Sequence, residues 1–140
     1  MASHVDDARK FETGATRSGD RGKLDFEGAM SPLVVKAFGE YMNFCRHMPD
    51  GSERASDNWQ KGIPGDAYMK SAFRHFVDWW MWHRTDDDEI NIVFTLCAIL
   101  FNVQGYLHEI LDGQPRDVIE VTLKRANDER ERSKSPRQPQ

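Results

Sequence analysis

Hydrophobic residues recur every three or four positions in three long segments of the chain, which is the spacing of amphipathic helices. The first segment begins after Ser31, a residue that caps helix N-termini well, and Pro32 suits the first helical position. The turn-forming run at 49–51 predicts that this helix ends near His47. Its apolar positions are Val34, Val35, Phe38, Tyr41, Met42 and Cys45.

Two further helices are predicted by the same spacing. The second runs from about Asp66 to Arg84, with Gly65 or Asp66 as its cap. The third is expected to begin within the acidic run Asp86–Glu89, because negative charge suits the positive end of a helix, and to end near Leu111. A weaker amphipathic helix covers 117–129. The predicted core stripe of the second helix comprises Met69, Ala72, Phe73, Phe76, Val77 and Trp80.

No segment alternates as a β-strand would, so the predicted fold class is all-α, an antiparallel bundle of three to four helices. Residues 1–30 are polar and glycine-rich without a helical period, and they are predicted to form an extended arm. Residues 31–129 form the predicted helical domain. Residues 130–140 carry charge and proline without apolar residues, and they are expected to be a disordered tail.

The third predicted helix is apolar almost all round, and three or four helices cannot cover every side of it. We therefore expect a homodimer or a higher homo-oligomer. The alternative is a monomer in which the N-terminal arm wraps this helix. The stretch 90–107 is nearly long enough to cross a bilayer, but its polar side chains argue against a membrane partner. These polar residues are Asn91, Thr95, Asn102 and Gln104.

Composition narrows the functional classes. The 140 residues are 39% apolar and 30% charged, which suits one soluble domain. The net charge of −4 excludes general attraction to nucleic acid or to anionic membrane, and neither is an expected partner. Cys45 and Cys97 lie in apolar runs without a CxxC partner, so we expect free thiols in a reducing cytoplasm. The polar N-terminus predicts no signal peptide.

Polar residues align on single faces of the predicted helices. On the third helix the polar positions fall within roughly 40° of one another at about 100° per residue. A tight turn near residue 85 would make the second and third helices antiparallel neighbours, with His75 level with Thr95. The polar stripe of the third helix comprises Asn91, Thr95, Asn102 and Glu109.

The loop SDNWQKGIP, 56–64, carries a large indole and a lone cation. We expect Asn58, Trp59 and Lys61 at the mouth of a groove whose wall carries Arg74 and His75. Cations, an acid or base and an aromatic plane in one place suit the phosphates and base of a nucleotide. The alternative is structural: the polar stripes fix helix register, His75 pairs locally with the residue three positions on, and the indole plugs the bundle end.

Two acidic pairs have the helical spacing that can place two oxygens on one Mg²⁺: Asp86 with Glu89, and Glu109 with Asp112. They lie about 30 Å apart on one predicted helix at about 1.5 Å per residue, so only an antiparallel second chain could bring them together. Capping of the helix dipole is the alternative for the first pair. The sequence contains no nucleophile elbow, Walker loop or zinc-binding spacing.

Four blocks, in order over roughly 11–111, are FETGATRSGDRGKLDFEGAMSP, DNWQKGIP, YMKSAFRHFVDWWMWHR and LCAILFNVQGYLHE. Together they resemble a phage and prophage family described as dATP/dGTP diphosphohydrolase-like (N-terminal domain). That family is similar to the MazG-type all-α nucleoside triphosphate pyrophosphatases. Its NWxKG, SAxRH and NxxGxxH motifs match Asn58, Trp59, Lys61, Gly62, Ser71, Ala72, Arg74, His75, Asn102, Gly105 and His108.

The sequence departs from this pattern in several places. Asn43 stands where the alignment expects a glutamate, although Glu40 lies one turn earlier. Phe94 and Thr95 stand where many members carry an acidic residue or a histidine. MazG-type enzymes bring Glu-x-x-Glu and Glu-x-x-Asp from neighbouring helices to Mg²⁺, and no such pair of motifs is present.

The resemblance implies that a phage-encoded homo-oligomer hydrolyses purine deoxynucleoside triphosphates in the cytoplasm of a bacterial host. The expected catalytic residues, which hold phosphate charge, are Lys61, Arg74 and His75. The expected substrate-binding residues are Asn58, Trp59, Asn102 and His108, and the expected ligands of Mg²⁺ or Mn²⁺ are Glu40, Asp78 and Glu89. The alternatives are a catalytically inactive module that binds or sequesters nucleotides, and a helical structural or interaction protein.

Overall fold

The computed structural model describes residues 8–20 and 22–134. The all-α class is confirmed, since the described residues form five α-helices, one 3₁₀ helix and a ladder of two very short strands. The chain divides into two compact units, Met1–Lys36 and Ala37–Gln140. The boundary falls inside a helix, six residues beyond the predicted limit of the arm at residue 30.

The first unit contains more local structure than an extended arm. Strand β1 (Arg9–Lys10) pairs antiparallel with β2 (Thr16–Arg17). Gly14 closes the turn between them at φ +84°, a left-handed conformation that glycine adopts without steric cost. Asp25 then accepts a 2.8 Å hydrogen bond from the Gly28 N–H and so begins the single turn of α1 (Phe26–Ala29).

Helix α2 (Pro32–Arg46) begins and ends close to where the sequence predicts. The Ser31 hydroxyl accepts from the Val34 N–H at 3.4 Å, as expected of an N-cap. After α2 the chain reverses through a turn in which the Met48 N–H donates to the Ser52 carbonyl at 2.8 Å. This reversal brings the backbone of Arg54 beside that of Arg46, and the Arg54 N–H donates to the Arg46 carbonyl at 2.9 Å.

Helices α3 (Gly65–Thr85) and α4 (Ile92–Leu111) pack antiparallel in the second unit. The first turn of α3 meets the last turns of α4, where the ring of Tyr68 lies against Gly105. A Cβ atom at position 105 would lie only 2.3 Å from two ring carbons of Tyr68, so glycine is required for this close approach. Tyr68 is 1% exposed. The buried residues of α4 are Thr95, Cys97, Ala98, Asn102 and Gly105.

Helix α2 contacts α4 through aromatic rings. The rings of Tyr41 and Phe94 meet edge to face with centroids 4.9 Å apart, and Phe44 approaches the same ring at 6.0 Å. Edge-to-face pairs at these distances are favourable beyond the area that they bury. Helix α4 therefore contacts both α2 and α3.

The predicted start of α4 in the acidic run is wrong. Asp86 caps the C-terminus of α3 in the left-handed conformation, with its N–H donating to the Trp82 carbonyl. Asp87 then accepts from the Glu89 N–H at 3.0 Å, which is the local bond of an aspartate turn. The helix starts at Ile92, and Asn91 caps it by accepting from the Phe94 N–H. The acidic residues therefore form the connection between the helices and not a first helical turn.

The predicted core stripe of α3 is also wrong. Its large members are exposed, from 43% for Val77 to 65% for Phe73, and the residue that is buried is Tyr68. Ser71, Ala72 and His75, on the same side of the helix as Tyr68, are half-buried. The cap of this helix is Pro64, not Gly65 or Asp66. The small and polar side of α3, not its most apolar side, faces the neighbouring helix.

Helix α5 (Val118–Lys134) continues beyond the predicted end at residue 129. Its first residue is half-buried and all the others are exposed. The predicted tail is therefore helical over 130–134, while 135–140 lie outside the described residues. Among the described helices, α4 alone is long and apolar enough to cross a membrane by length and composition.

Candidate functional site

The strongest candidate for a binding site is a pocket beside the 3₁₀ helix Asn58–Lys61, here called the Trp59 pocket. It has a volume of about 240 Å³ and lies wholly within the second unit. The C-terminal half of α2 forms one wall, the loop before α3 forms another, and α4 contributes one ring. The lining residues are Tyr41, Met42, Cys45, Arg46, Arg54, Ala55, Ser56, Asn58, Trp59 and Phe101.

Two arginines give the Trp59 pocket a positive wall. The guanidinium of Arg46 donates to the Arg54 carbonyl at 2.8 Å and lies 3.4 Å from a Glu53 carboxylate oxygen, so it also holds the loop in place. The guanidinium of Arg54 makes no hydrogen bond or ion pair with any residue of 8–20 or 22–134. A planar guanidinium with all five donors available is suited to a carboxylate or phosphate.

The indole of Trp59 is positioned by the end of α4. Its ring meets that of His108 edge to face, with centroids 4.9 Å apart. Glu109 accepts from the Ile63 N–H at 3.3 Å and so ties the same end of α4 to the loop that follows the indole. His108, predicted to bind substrate, thus contacts the indole but does not line the pocket itself.

The aromatic walls of the pocket include one phenol that stays neutral. Burial raises the pKa of Tyr41, and the neighbouring Cys45 adds to the shift. The hydroxyl is therefore an uncharged hydrogen-bond donor or acceptor at physiological pH. Arginine, neutral phenol and indole together favour an anionic ligand that also carries a flat ring.

Arg74 and His75 do not line the Trp59 pocket. They line an open depression along α3 together with Lys70 and Asp78, and this depression shares no lining residue with the Trp59 pocket. His75 Nδ1 is 3.9 Å from a carboxylate oxygen of Asp78, the local pair that the structural alternative predicts. The expected single groove containing both Trp59 and His75 is therefore wrong. Lys61 ends the 3₁₀ helix and is exposed.

Asn102 lines neither the Trp59 pocket nor the depression along α3. It is 4% exposed, and its amide nitrogen donates to the Ala98 carbonyl one turn back on the same helix at 2.7 Å. It lines an apolar groove of about 300 Å³ between α3 and α4 together with Met69 and Val103. Asn102 thus lies between α3 and α4, and it does not line the Trp59 pocket.

The carboxylates expected to hold a metal are dispersed. Glu40 lies on α2, Asp78 on α3 and Glu89 in the connection before α4. Within 8–20 and 22–134, no group of three or more His, Cys, Asp or Glu side chains could hold a metal ion. The Mg²⁺ site at Glu40, Asp78 and Glu89 therefore stays a prediction.

Sequence reasoning missed the residues that, with Trp59, make the pocket cationic and aromatic, namely Arg46, Arg54, Tyr41 and Phe101. One signal for the arginines was present. The turn-forming run at 49–51 predicts a reversal, and residues at equal distances from a reversal become neighbours. His47 pairs with Glu53 across it, and the two arginines flank that pair.

Comparison of the chain with known proteins gave no match to a family model, to a curated protein or to a solved structure.

Proposed function

We propose that the protein binds a purine deoxynucleoside triphosphate in the Trp59 pocket and hydrolyses one of its phosphoanhydride bonds. The observation that carries the proposal is the Arg54 guanidinium, which makes no hydrogen bond with a described residue, in a pocket with an indole and a phenol. Arginine suits phosphate oxygens, and aromatic faces stack on a base. The resemblance of the DNWQKGIP block agrees with this assignment, because it includes Asn58 and Trp59.

The volume limits how the nucleotide is held. Pockets that enclose drug-sized ligands measure roughly 300–1,000 Å³. The Trp59 pocket, at about 240 Å³, has room for part of a nucleotide only. We place the base against the Trp59 indole and a phosphate on Arg54, with the remaining phosphates extending outside the pocket.

The reaction is hydrolysis at phosphorus. A water oxygen attacks one phosphorus atom, the bond to the bridging oxygen breaks, and the leaving phosphate or pyrophosphate departs as the water proton passes to solvent. In this proposal Mg²⁺ enters as part of the Mg–nucleotide substrate, and no step is assigned to Glu40, Asp78 or Glu89. The protein acts in the bacterial cytoplasm, where deoxynucleotides are made and consumed.

A second candidate is binding without turnover. It is favoured by the absence of a metal-holding carboxylate group among the described residues. In that case the protein would sequester the nucleotide or act as its sensor. The two candidates share the pocket and differ in whether a phosphoanhydride bond is cleaved.

The test combines binding and turnover. Calorimetry with dGTP and dATP, both with Mg²⁺ and in EDTA, measures binding, and incubation with all four deoxynucleotides and Mg²⁺ or Mn²⁺ distinguishes pyrophosphate from phosphate release. We expect Arg54→Ala to weaken binding at least about tenfold, since a hydrogen bond to a charged group contributes roughly 1.5–3 kcal/mol. Trp59→Ala should also weaken it. Arg125→Ala, an exposed arginine on α5, is the matched control and should bind as the wild type does.

The outcomes separate the candidates. Binding with metal-dependent cleavage establishes the hydrolase, whereas binding without cleavage establishes the sequestering module. No heat with any nucleotide, or equal affinity of Arg54→Ala and wild type, overturns both. His75→Ala should leave the dissociation constant unchanged, because His75 does not line the pocket. Its catalytic assignment is a separate prediction, which full turnover in that variant would end.

A further inference from the structure

Two apolar stripes run along the same side of the α3–α4 pair. The α3 stripe has the spacing 4, 3, 4 and comprises Met69, Phe73, Phe76 and Trp80. The α4 stripe has the spacing 4, 3, 4, 3 and comprises Leu96, Leu100, Val103, Leu107 and Ile110. This alternation of three and four is the pattern of helices that pack in bundles and coiled coils.

Both stripes are exposed. Their nine side chains are between 36% and 65% accessible, whereas Tyr68, Ala98 and Asn102, which join the two helices, are almost completely buried. The apolar groove between α3 and α4 connects the stripes, since Met69 of one and Val103, Leu107 and Ile110 of the other line it. The two stripes therefore adjoin at the end of the pair where the groove lies, near the start of α3 and the end of α4.

The size of this surface distinguishes it from ordinary surface apolarity. A large side chain carries roughly 150–250 Å² of surface, so nine that are about half exposed present on the order of 900 Å². The largest apolar patch on a typical monomer covers about 300–600 Å². Two such surfaces placed together would bury on the order of 1,800 Å², which lies within the range of specific, stable interfaces.

We infer that this surface is covered by the same surface of a second copy, so that α3 and α4 of two chains form a four-helix bundle. A two-fold axis brings one patch onto itself, and a pair of antiparallel helices with 3–4 spacing is self-complementary in this way. The inference does not depend on the nucleotide proposal. It also explains why the most apolar side of α3 is turned away from α4 within one chain.

The side of α4 opposite its apolar stripe already contacts α2 within the same chain. Tyr41 and Phe44 of α2 contact Phe94, and Phe101 lines the Trp59 pocket. Dimerisation through the stripes therefore leaves that pocket accessible. For this reason loss of the dimer and loss of nucleotide binding are separable results.

The test is the mass of the full chain in solution by sedimentation, together with thermal unfolding at several protein concentrations. We expect a dimer of twice 16.2 kDa, and a melting temperature that falls on hundredfold dilution. Leu107→Glu on the α4 stripe should weaken dimerisation at least tenfold. Leu123→Glu, which places the same change at an exposed leucine of α5, is the matched control and should remain dimeric.

Each outcome decides the matter. A monomer whose melting temperature is independent of concentration overturns the inference, as does an oligomer that Leu107→Glu leaves intact. A larger even-numbered assembly that Leu107→Glu divides supports it. Should Leu107→Glu fail to fold, the concentration dependence of the wild-type melting temperature decides the question alone. Binding of the monomer to phospholipid vesicles would identify a membrane as the occupant and also overturn it.

Discussion

Replacement of Gly105 by alanine tests the central packing contact of the fold. The added Cβ would lie 2.3 Å from Cε1 and Cζ of Tyr68 and 2.5 Å from its hydroxyl oxygen. That separation falls short of the 3.0 Å limit for real Cβ contacts by 0.7 Å. The neighbouring group is a ring that is 1% exposed and packs against Phe101 with centroids 5.9 Å apart, so a shift of the ring would disturb that packing.

Two effects of opposite sign determine how far Gly105→Ala changes the free energy of unfolding. Alanine in place of glycine inside a helix stabilises by about 0.5–1 kcal/mol, because the unfolded chain loses freedom. Overpacking of a close contact costs about 1–3 kcal/mol. Since the clash involves a rigid ring and not the end of a flexible side chain, the second effect is expected to dominate. The free energy of unfolding should fall by about 1–2 kcal/mol.

Urea unfolding followed by circular dichroism measures this change. With a slope of about 2 kcal/mol/M, the midpoint should fall by roughly 0.5–1 M at equal protein concentration. Gly39→Ala is the matched control, because Gly39 also lies in a helix but has no neighbouring atom within 4 Å of the position that an added Cβ would take. It should raise the midpoint. Tyr68→Leu should relieve part of the cost of Gly105→Ala, giving a coupling energy of about 1 kcal/mol.

A Gly105→Ala variant that is as stable as wild type, or that gains stability as Gly39→Ala does, would refute the close contact. That result would mean that α3 and α4 do not approach as closely as Gly105 and Tyr68 indicate. If the losses of stability of Gly105→Ala and Tyr68→Leu simply add in the double variant, the cost of Gly105→Ala arises at a contact other than the one with Tyr68.

Two further predictions concern capping and pH. Asn91→Ala removes the side-chain acceptor of the Phe94 N–H and should lower stability by about 1 kcal/mol, whereas Asn91→Asp should retain most of it; equal urea midpoints for Asn91→Ala and wild type would contradict the cap. The pKa of Tyr41 is raised in the folded state by burial and by Cys45, so its contribution to stability is complete below pH 10.0, the ordinary value, and is lost as the pH rises through the folded pKa. Tyr41→Phe should therefore lose less stability than wild type on alkaline titration, and parallel losses in the two proteins would contradict the raised pKa.

Local rules were enough to predict most helices. Ser31 and Pro32 marked the start of α2, and the turn at 49–51 marked its end, because caps and turns depend on residues that are adjacent in the chain. The polar face of α4 also followed from spacing alone, since the helical repeat sets the angle between residues. The prediction that α4 begins within the acidic run at 86–89 was wrong for a local reason as well. Aspartate favours turns as much as helix N-termini, and Asp86 took the left-handed cap of α3.

The sequence by itself thus determined the approximate positions of the four long helices and which of their residues share a face. Tertiary structure alone decided which face of α3 meets α4 and which residues surround the indole. Periodicity favours the large apolar stripe of α3, but Gly105 admits Tyr68 so closely that the smaller side of α3 packs instead. Likewise Arg46 and Arg54 became neighbours only when the chain reversed between them. Both outcomes depend on the shapes of residues far apart in the chain, which a pattern of hydrophobic and polar positions does not encode.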